Sequence, residues 1–294
     1  MAATETGLTA KTKVVITTYD AICSFVGSGV LKDGEASDVS GTVTVFRAAS
    51  QRKRTVNANK IQHLPYYEAG IHIVGGSNNL GGGLIEWVKQ CYYQKEMLPY
   101  ELMEKDAGEA ALGASGVIFL PYLLGERAPI WDSNARGVFF GLERMHTRKE
   151  MTRAVFESTG FIDLDMITAI EETGIQIGTI RLSGGLARLN LISQIKADIT
   201  GRQIEVLSEF ETTATGAAMM AMYGQGVYAS LEEAANQFVK VRMIIHPDQK
   251  NYEKYQELYS LYKETYNTLK CLFPKRMSLT EKLYDKRKIR IENL

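Results

Sequence analysis

The sequence of 294 residues lacks the features that mark several large classes of protein. No apolar run approaches the roughly 18 residues that a membrane span requires. The first residues lack the charged region and the apolar region of a secretory signal. Lys and Arg together number 34, the same as Asp and Glu, so no excess of positive charge favours binding to nucleic acid. We therefore expect neither a membrane nor a nucleic acid among the partners.

Cysteine and histidine are scarce, and their positions argue against a metal centre built from them. The cysteines are odd in number and scattered (Cys23, Cys91 and Cys271), which is typical of reduced thiols in a cytoplasmic protein. The four histidines lie in separate contexts without the spacing of metal ligands, at His63, His72, His146 and His246. We expect no metal ion bound by protein side chains.

The remaining composition is that of an ordinary globular protein, with 45% hydrophobic and 23% charged residues. A chain of this length holds one large domain or two ordinary ones. A predicted strand follows Thr6 almost at once, so we expect a chain that begins partway through a longer protein. The last predicted compact helix covers 252–272, and we divide the chain into a domain over 1–274 and a mobile basic tail over 275–294.

A strand that ends in two glycines is the feature around which the chain is organised. A β-branched run over 177–182 leads into Ser183, Gly184 and Gly185, and a helical pattern begins a few residues later. Backbone N–H groups and the positive end of the helix dipole then face the crevice, and a Cβ would keep a ligand away from the backbone. Tight packing of strand against helix without a ligand is the alternative.

Asp20 lies where a predicted strand meets a predicted helix. The β-branched run Lys13–Thr17 predicts a buried strand, and a helix of small residues begins at Ala21. The carboxyl end of a strand is where α/β proteins place their active groups. Asp is also among the best N-cap residues, and on position alone the N-cap is the favoured interpretation.

Two further glycine-containing turns precede helices or strands. Segments 35–40 and 41–46 predict two short strands, and the Gly41-Thr42 turn between them offers an N–H group and a hydroxyl to a phosphate. An ordinary hairpin turn fits those residues equally well. Segment 75–83 has five glycines in nine residues before a helix, which indicates close approach of a second backbone or of a ligand.

Segment 66–74 predicts one or two strands, and the segment 123–137 is the longest polar and aromatic loop. Long ordered loops usually carry function. For its charges we favour a structural interpretation, with ion pairs between Glu126 and Arg127 and between Asp132 and Arg136 that hold the loop in place.

The region after this loop resembles the second signature of the FGGY carbohydrate kinases. Residues 137–142 are followed after seven residues by Glu150-Met151, and after two more by 154–157. The segment 125–136 resembles the same region of xylulose and gluconate kinases, and Ser183-Gly184-Gly185 resembles the adenosine motif of the family. The resemblance runs from about Thr6 to about Phe273.

This resemblance implies an α/β fold of the actin-like ATPase type, with a mixed sheet flanked by helices. In this family two ribonuclease-H-like domains close on a sugar and Mg-ATP. The chain is similar to the second domain only, so the implied partners are the missing N-terminal kinase domain and a sugar substrate, either a pentose, a ketose or a sugar acid. We expect the isolated half to be inactive, and its uncovered face predicts a dimer or a poorly soluble monomer.

The resemblance also implies roles for individual residues. Asp20 takes the place of the catalytic base, and catalysis thereby overtakes the N-cap as the favoured interpretation. A carboxylate that orients an attacking hydroxyl and accepts its proton contributes about 10²–10⁴-fold in rate. Gly41 and Thr42 match the phosphate-contacting turn and Gly82 a glycine near the nucleotide phosphates. The remaining matches, with the adenosine site, are at Gly184, Gly185 and Asn190. The implied cofactors are ATP and Mg²⁺.

Two departures from the family pattern leave a second hypothesis open. Thr17-Thr18-Tyr19 stands where the family has glycines, and its Gly-Thr-Ser-Gly turn is here Gly41-Thr42-Val43-Thr44. Bulkier residues at these places predict a narrower phosphate channel or altered access to Asp20, and slightly favour a non-catalytic actin-like module that binds a nucleotide or a partner chain. A dehydrogenase is excluded because no Gly-x-Gly-x-x-Gly follows a strand.

Overall fold

The computed structural model describes residues 2–65 and 71–283 and contains both strands and helices. The strands are β1 (Glu35–Ser40), β2 (Thr44–Ser50), β3 (Gln62–Pro65), β4 (His72–Ser77), β5 (Ile118–Leu120), β6 (Val138–Phe140), β7 (Thr179–Ser183), β8 (Gln203–Leu207) and β9 (Val241–Ile245). The helices are α1 (Ala2–Thr6), α2 (Asp20–Gly27), α3 (Gly82–Tyr92), α4 (Pro99–Glu109), α5 (Arg148–Glu171), α6 (Asn190–Thr200), α7 (Thr212–Gly224), α8 (Leu231–Phe238), α9 (Gln249–Leu269) and α10 (Leu272–Leu283).

A mixed sheet of seven strands lies at the centre, in the order β3-β4-β2-β1-β7-β8-β9. Strand β1 pairs with β7 in parallel, β7 pairs with β8 in parallel, and the other neighbours are antiparallel. Strands β5 and β6 form a separate antiparallel pair. The predicted α/β class with a mixed sheet flanked by helices is confirmed.

Side chains that alternate along the strands build two cores, one on each face of the sheet. Ala48 and Val74 pack with residues of α5 and α6, while their neighbours Ala49 and Ile73 pack with residues of α2, α7 and α8. This is the period-2 pattern of a sheet covered on both faces. A third core lies beyond α5, where α3, α4, α9 and the β5–β6 pair meet. Helix α5 is therefore buried on nearly all sides.

The prediction of a buried strand over Lys13–Thr17 is wrong. This segment forms no strand, and two of its three apolar side chains are open to solvent, with Val14 91% and Ile16 92% exposed and Val15 half-buried. An extended segment becomes a strand only when a neighbour accepts and donates its backbone hydrogen bonds. No described strand pairs with residues 13–17. The next strand in the chain, β1, is already paired on both sides, with β2 and β7.

The chain end also differs in part from its prediction. Helix α10 continues over Leu272–Leu283, so the first residues of the predicted tail are helical, because proline is tolerated in the first turn of a helix. Residues 284–294 of that tail lie outside the described residues, as do residues 66–70 of the strand predicted over 66–74. In the described remainder of that segment, β4 begins at His72.

All three cysteines are unpaired, with Cys23 buried and the other two exposed. Across the described ranges, no helix is both long enough and apolar enough to cross a bilayer.

Candidate functional site

Three glycine-containing turns meet at one edge of the sheet. Strands β1, β4 and β7 all end at this edge, because β1 and β7 are parallel and β4 is related to β1 through two antiparallel pairings. The turn 41–43 follows β1, Gly184 and Gly185 follow β7, and residues 78–81 connect β4 to α3. The carboxyl edge of parallel strands is where α/β folds bind their ligands.

The Gly41-Thr42 turn is fixed to the start of α3 by backbone hydrogen bonds. Gly82 N–H donates to the Gly41 carbonyl (2.7 Å), and the N–H groups of Gly81 and Gly83 donate to the Thr42 carbonyl (2.9 and 3.1 Å). A Cβ on Gly82 would lie 2.8 Å from the Gly41 oxygen. These contacts explain the glycines of this segment as a close approach of two backbones, and they leave the exposed Thr42 hydroxyl without a hydrogen bond in the described part of the chain.

The two glycines after β7 have different roles. Gly184 has a φ of +83°, and a Cβ there would lie 2.5 Å from the Ser40 carbonyl oxygen. Tight packing, the alternative left open by the sequence, therefore accounts for Gly184. For Gly185 the nearest such contact is an ordinary 3.9 Å, and this residue lines the cavity described next.

The turns enclose a cavity of about 660 Å³. Its walls come from the turn after β1, the first turns of α3 and α4, and the short turn after β7, with Gly41, Thr42, Gly82, Gly83, Ile85, Glu86, Tyr100, Glu101, Glu104, Gly185, Leu186, Arg188 and Leu189 as lining residues. This volume lies within the range of small-molecule and cofactor sites. The structure thus brings together Gly41, Thr42, Gly82 and Gly185 around one space.

The wall formed by α4 was not predicted from the sequence as part of a site. Tyr100, Glu101 and Glu104 project from this helix into the cavity lining. Glu104 also accepts a hydrogen bond from the Leu191 N–H (2.9 Å), which ties α4 to the start of α6. The amphipathic pattern of this segment predicts a helix, but nothing local indicates which of its side chains meet the glycine turns.

Asn190 lies apart from this space. It is the first residue of α6, and its Oδ1 accepts a hydrogen bond from Arg242 (3.3 Å). It is not among the residues that line the cavity.

Asp20 is the first residue of α2 and is exposed. The N-cap position belongs to Tyr19, which makes no side-chain capping bond, so the N-cap interpretation of Asp20 is off by one residue. Asp20 Oδ1 accepts a hydrogen bond from the Ala21 N–H (2.7 Å), and the second carboxylate oxygen has no hydrogen bond within the described residues. A free, exposed carboxylate oxygen is available to an incoming hydroxyl group.

The β1–β2 hairpin carries both the Gly41-Thr42 turn and Arg47, the residue that contacts α2. Arg47 of β2 donates from its guanidinium to the Ala21 carbonyl (3.0 Å). Arg47 lies three positions after Thr44 on this strand, which corresponds to about 10 Å along an extended backbone. Burial lowers the pKa of Arg47, and Tyr19 and Asp20 oppose that shift. Asp20 is therefore anchored close to the hairpin, although it does not line the cavity.

A crossing of two helices fixes α2 from its other side. Gly27 of α2 and Gly216 of α7 face each other so closely that a Cβ on Gly216 would lie 1.8 Å from the Cys23 carbonyl oxygen. A Cβ on Gly27 would lie 1.9 Å from the Thr212 carbonyl oxygen. The position of Asp20 thus depends on backbone-to-backbone contact at these two glycines.

The bulkier residue at position 44 does not enter the cavity. Thr44 is buried, and its hydroxyl lies 3.0 Å from that of Ser40. Its N–H donates to the side chain of Asn78 (2.9 Å). Neither Val43 nor Thr44 lines the cavity. These two residues therefore do not narrow this cavity, whereas Tyr19, 51% exposed, flanks Asp20.

The loop 123–137 supports this region from behind, but the predicted ion pairs are wrong. No salt bridge joins Glu126 to Arg127 or Asp132 to Arg136 in this fully described loop. Glu126 instead accepts hydrogen bonds from the N–H groups of Asn79 and Arg127, both at 2.7 Å. Asp132 accepts from two loop N–H groups. Backbone donors satisfy these acids because the loop folds tightly around them.

Glu126 makes the stability of this support dependent on pH. Burial raises its pKa from an ordinary 4.5 to about 7, against the effect of the two N–H donors. The folded chain then binds the proton more tightly than the unfolded chain. The resulting stabilisation is complete below about pH 4.5 and is lost as the pH rises through about 7.

We expect Glu126→Gln to flatten the pH dependence of stability. Between pH 4.5 and pH 8, the free energy of unfolding of the wild type should fall relative to that of the variant by up to about 3 kcal/mol. Urea unfolding at several pH values measures this difference, and other buried acids cancel because both proteins contain them. Parallel curves for the two proteins would contradict the assignment.

The donor set at this edge does not include a preformed metal site. No group of three His, Cys, Asp or Glu side chains with ligand geometry occurs in the parts of the chain that the structure describes. A magnesium ion bound here would take most of its oxygen ligands from phosphate groups and water, as Mg²⁺ commonly does. The glycine-lined cavity itself accommodates a nucleotide by volume and by the absence of side chains along one wall.

Comparison with known proteins gives consistent matches. The model of the C-terminal domain of the FGGY family of carbohydrate kinases matches residues 36–225. The xylulose kinase of Bacillus subtilis is 32% identical over 270 residues, which cover 92% of this chain and 54% of that protein. The gluconokinase of the same organism is 28% identical over 244 residues, covering 80% of this chain and 47% of that protein.

Solved structures match in the same way. A ligand-bound xylulose kinase from Lactobacillus acidophilus superposes with a TM-score of 0.86 at 29% identity, and the match covers 93% of this chain and 55% of that one. This chain therefore spans about half the length of the relatives it matches. The predicted actin-like ATPase fold is confirmed by these neighbours.

Proposed function

The chain belongs to the FGGY family of carbohydrate kinases, as its C-terminal domain, and from this membership we propose that it is the nucleotide-binding half of an ATP-dependent sugar kinase. The observation that carries the proposal is the cavity at the carboxyl edge of the sheet, lined by the glycine turns after β1 and β7 and at the start of α3. In this proposal, half of a closed cleft binds ATP, and a second domain supplies the other half.

The residues of the cavity suit a nucleotide whose phosphates lie at the Gly41-Thr42 turn and whose adenosine lies near Gly185. The exposed Thr42 hydroxyl and the Gly41-Thr42 backbone provide donors for phosphate oxygens. Gly185 and the neighbouring Leu186 and Leu189 provide a surface without polar side chains for the adenosine. The first amides of α3 already donate to the turn, so Gly82 acts by permitting close approach rather than by donating to phosphate.

In the proposed reaction ATP supplies the γ-phosphoryl group, and Mg²⁺ neutralises charge on the phosphate oxygens. Asp20 orients the sugar hydroxyl and accepts its proton through the carboxylate oxygen that has no hydrogen bond in the described structure. The names of the relatives, xylulose kinase and gluconokinase, support a pentose, a ketose or a sugar acid as the substrate. The exposed, unpaired Cys91 and Cys271 support a cytoplasmic location.

The partner in this proposal is an N-terminal kinase domain. The relatives are about twice as long as the matched part, which covers 54% of the Bacillus subtilis xylulose kinase. Val14 and Ile16 leave an apolar strip exposed, as expected of a surface that a second domain covers. Without that partner we propose that the chain has no turnover, because catalysis here depends on positioning by both halves, and that it self-associates.

A mixing experiment tests this proposal. ADP release from Mg-ATP is measured with pentoses, ketoses and gluconate, for the chain alone and with a supplied first kinase domain. We expect release only with both halves and a matching sugar, and light scattering should show that the partner replaces self-association. If no mixture releases ADP although both halves are folded, the result would favour the alternative function. That alternative is a non-catalytic module whose nucleotide affinity does not respond to sugar. The position of Tyr19 beside Asp20 favours that alternative.

A further inference from the structure

A fully buried group of charges lies directly below the phosphate-binding turn. Lys196 of α6 is 1% exposed, and its ammonium group contacts the carboxylates of Asp38 on β1 and Asp163 on α5. The distance to Asp163 Oδ2 is 2.7 Å, and Asp38 and Asp163 are themselves 0% and 1% exposed. Buried charges are costly unless each is paired, so the location of this group needs an explanation.

The group is joined to the turn through Ser40. The Ser40 hydroxyl donates to Asp38 Oδ1 (2.5 Å), lies 3.0 Å from the Thr44 hydroxyl and accepts from Lys196 at 3.4 Å. Asp38 and Ser40 are two positions apart on β1 and therefore share one face of the sheet. Ser40 and Thr44 flank the Gly41-Thr42 turn on its two sides, so the hydrogen bonds close the base of the turn.

The same lysine connects this base to the second glycine turn. Lys196 belongs to α6, which begins just after the Gly184–Arg188 segment. Each of the three ammonium protons has an acceptor, in Asp38, Asp163 and Ser40. Removal of this one side chain therefore breaks the polar contacts that join α6 to Asp38 and Ser40, next to the Gly41-Thr42 turn.

The two acids are not equivalent. Asp163 Oδ1 has no hydrogen-bond partner among the residues that the structure describes, while both oxygens of Asp38 are bonded. Burial and the neighbouring charge of Asp38 raise the pKa of Asp163 well above its ordinary range, and Lys196 opposes that shift. Asp38 is therefore the acid that orders Ser40, because it accepts from both the Ser40 hydroxyl and Lys196, whereas Asp163 accepts from Lys196 alone within the described residues.

We propose that Lys196 is a positioning residue for phosphate binding: through Asp38 and Ser40 it fixes the end of β1 from which Gly41 and Thr42 project. The proposal rests on the function proposed above, because it assigns the turn to nucleotide phosphates. It predicts that loss of the ammonium group weakens the binding of phosphates and leaves the adenosine part of the cavity intact.

Calorimetric titration of the full chain with Mg-ATP, Mg-ADP and adenosine tests this selectivity. We expect Lys196→Met and Ser40→Ala each to weaken ATP and ADP binding by about tenfold or more, with adenosine binding within about twofold of wild type. Ser158→Ala is the matched control, since Ser158 is a buried serine of α5 whose hydroxyl donates to the Val155 carbonyl of the same helix and which does not line the cavity. Its three affinities should stay at wild-type values.

A loss of affinity in equal proportion for all three ligands would mean a general loss of folded protein and would overturn the proposal. If Lys196→Met fails to fold, Ser40→Ala decides, since it leaves the lysine and both acids in place. Hydrogen exchange without nucleotide provides an independent readout. The amides of 41–44 should exchange about tenfold faster in Ser40→Ala than in wild type or Ser158→Ala.

The two readouts also separate this proposal from the function on which it rests. A wild-type chain that binds none of the three ligands would overturn the proposed function. Exchange at 41–44 would in that case still show whether the buried group orders the turn. If the amides of 41–44 exchange at the wild-type rate in both Lys196→Met and Ser40→Ala, the positioning role is overturned, even if wild-type nucleotide binding is tight.

Discussion

Replacing Asp20 with asparagine is expected to abolish phosphoryl transfer, with a fall in kcat of about 10²–10⁴-fold, while Mg-ATP affinity stays unchanged. Asparagine has the size of aspartate and still accepts the Ala21 N–H bond seen at Oδ1, so α2 keeps its start. What is lost is the basic oxygen that we propose receives the proton of the sugar hydroxyl. Steady-state kinetics of the chain combined with a first kinase domain, together with calorimetric ATP titration, measure the two effects separately.

Asp248→Asn is the matched control for this experiment. Asp248 is also an exposed aspartate at a helix start, where it caps α9, and asparagine caps a helix equally well. It does not line the cavity. Its kinetic constants should match those of the wild type. Full transfer by Asp20→Asn would remove the assignment of Asp20 as the base, whatever the control does.

Gly216→Ala is expected to destabilise the fold by at least about 3 kcal/mol. Its Cβ would lie 1.8 Å from the Cys23 carbonyl oxygen and 2.7 Å from the Gly27 nitrogen. Both contacts are with backbone, so no side-chain rotation relieves them, and α2 and α7 must move apart. Molecules that stay folded should bind ATP with ordinary affinity, since neither helix lines the cavity, but should transfer phosphate slowly because Asp20 moves with α2.

Gly108→Ala provides the comparison within the same protein. Gly108 also lies in a helix, α4, and its Cβ would meet only Leu191 Cδ2 at an ordinary 3.8 Å. Alanine favours a helix over glycine by up to about 1 kcal/mol, so this variant should be as stable as the wild type or more stable. Urea unfolding of both variants measures the contrast. Equal stability of Gly216→Ala and Gly108→Ala would refute the close crossing.

The turns of the site could be predicted because their signals are local. Gly41-Thr42 between two short strands and Ser183-Gly184-Gly185 before a helix are readable from a few adjacent residues, and the structure places both turns at one edge of the sheet. The sequence also left open whether the glycine pair serves packing or a ligand. In the structure the two glycines differ: Gly184 packs closely against Ser40, whereas Gly185 lines the cavity.

Features that depend on distant residues could not be predicted. Lys13–Thr17 has the composition of a strand, but composition does not provide a hydrogen-bonding neighbour, and the run is exposed. The α4 wall and the contacts of Lys196 with Asp38 and Asp163 join elements far apart in the chain. Asn190 follows the correct turn, yet it faces Arg242, because α6 begins at that residue and turns its side chain outward.

The bonding of the Gly41-Thr42 turn to the start of α3 has a consequence for how this cavity can change during evolution. Three consecutive backbone donors lock that wall, and almost any side chain added at Gly81 or Gly82 meets a close neighbour. The opposite wall consists of side chains on α4, such as Tyr100 and Glu101, which can be exchanged without moving a backbone. Under the proposed function, substitutions on α4 change the shape of the cavity without moving its backbone, whereas the wall proposed to bind phosphate is constrained to remain as it is.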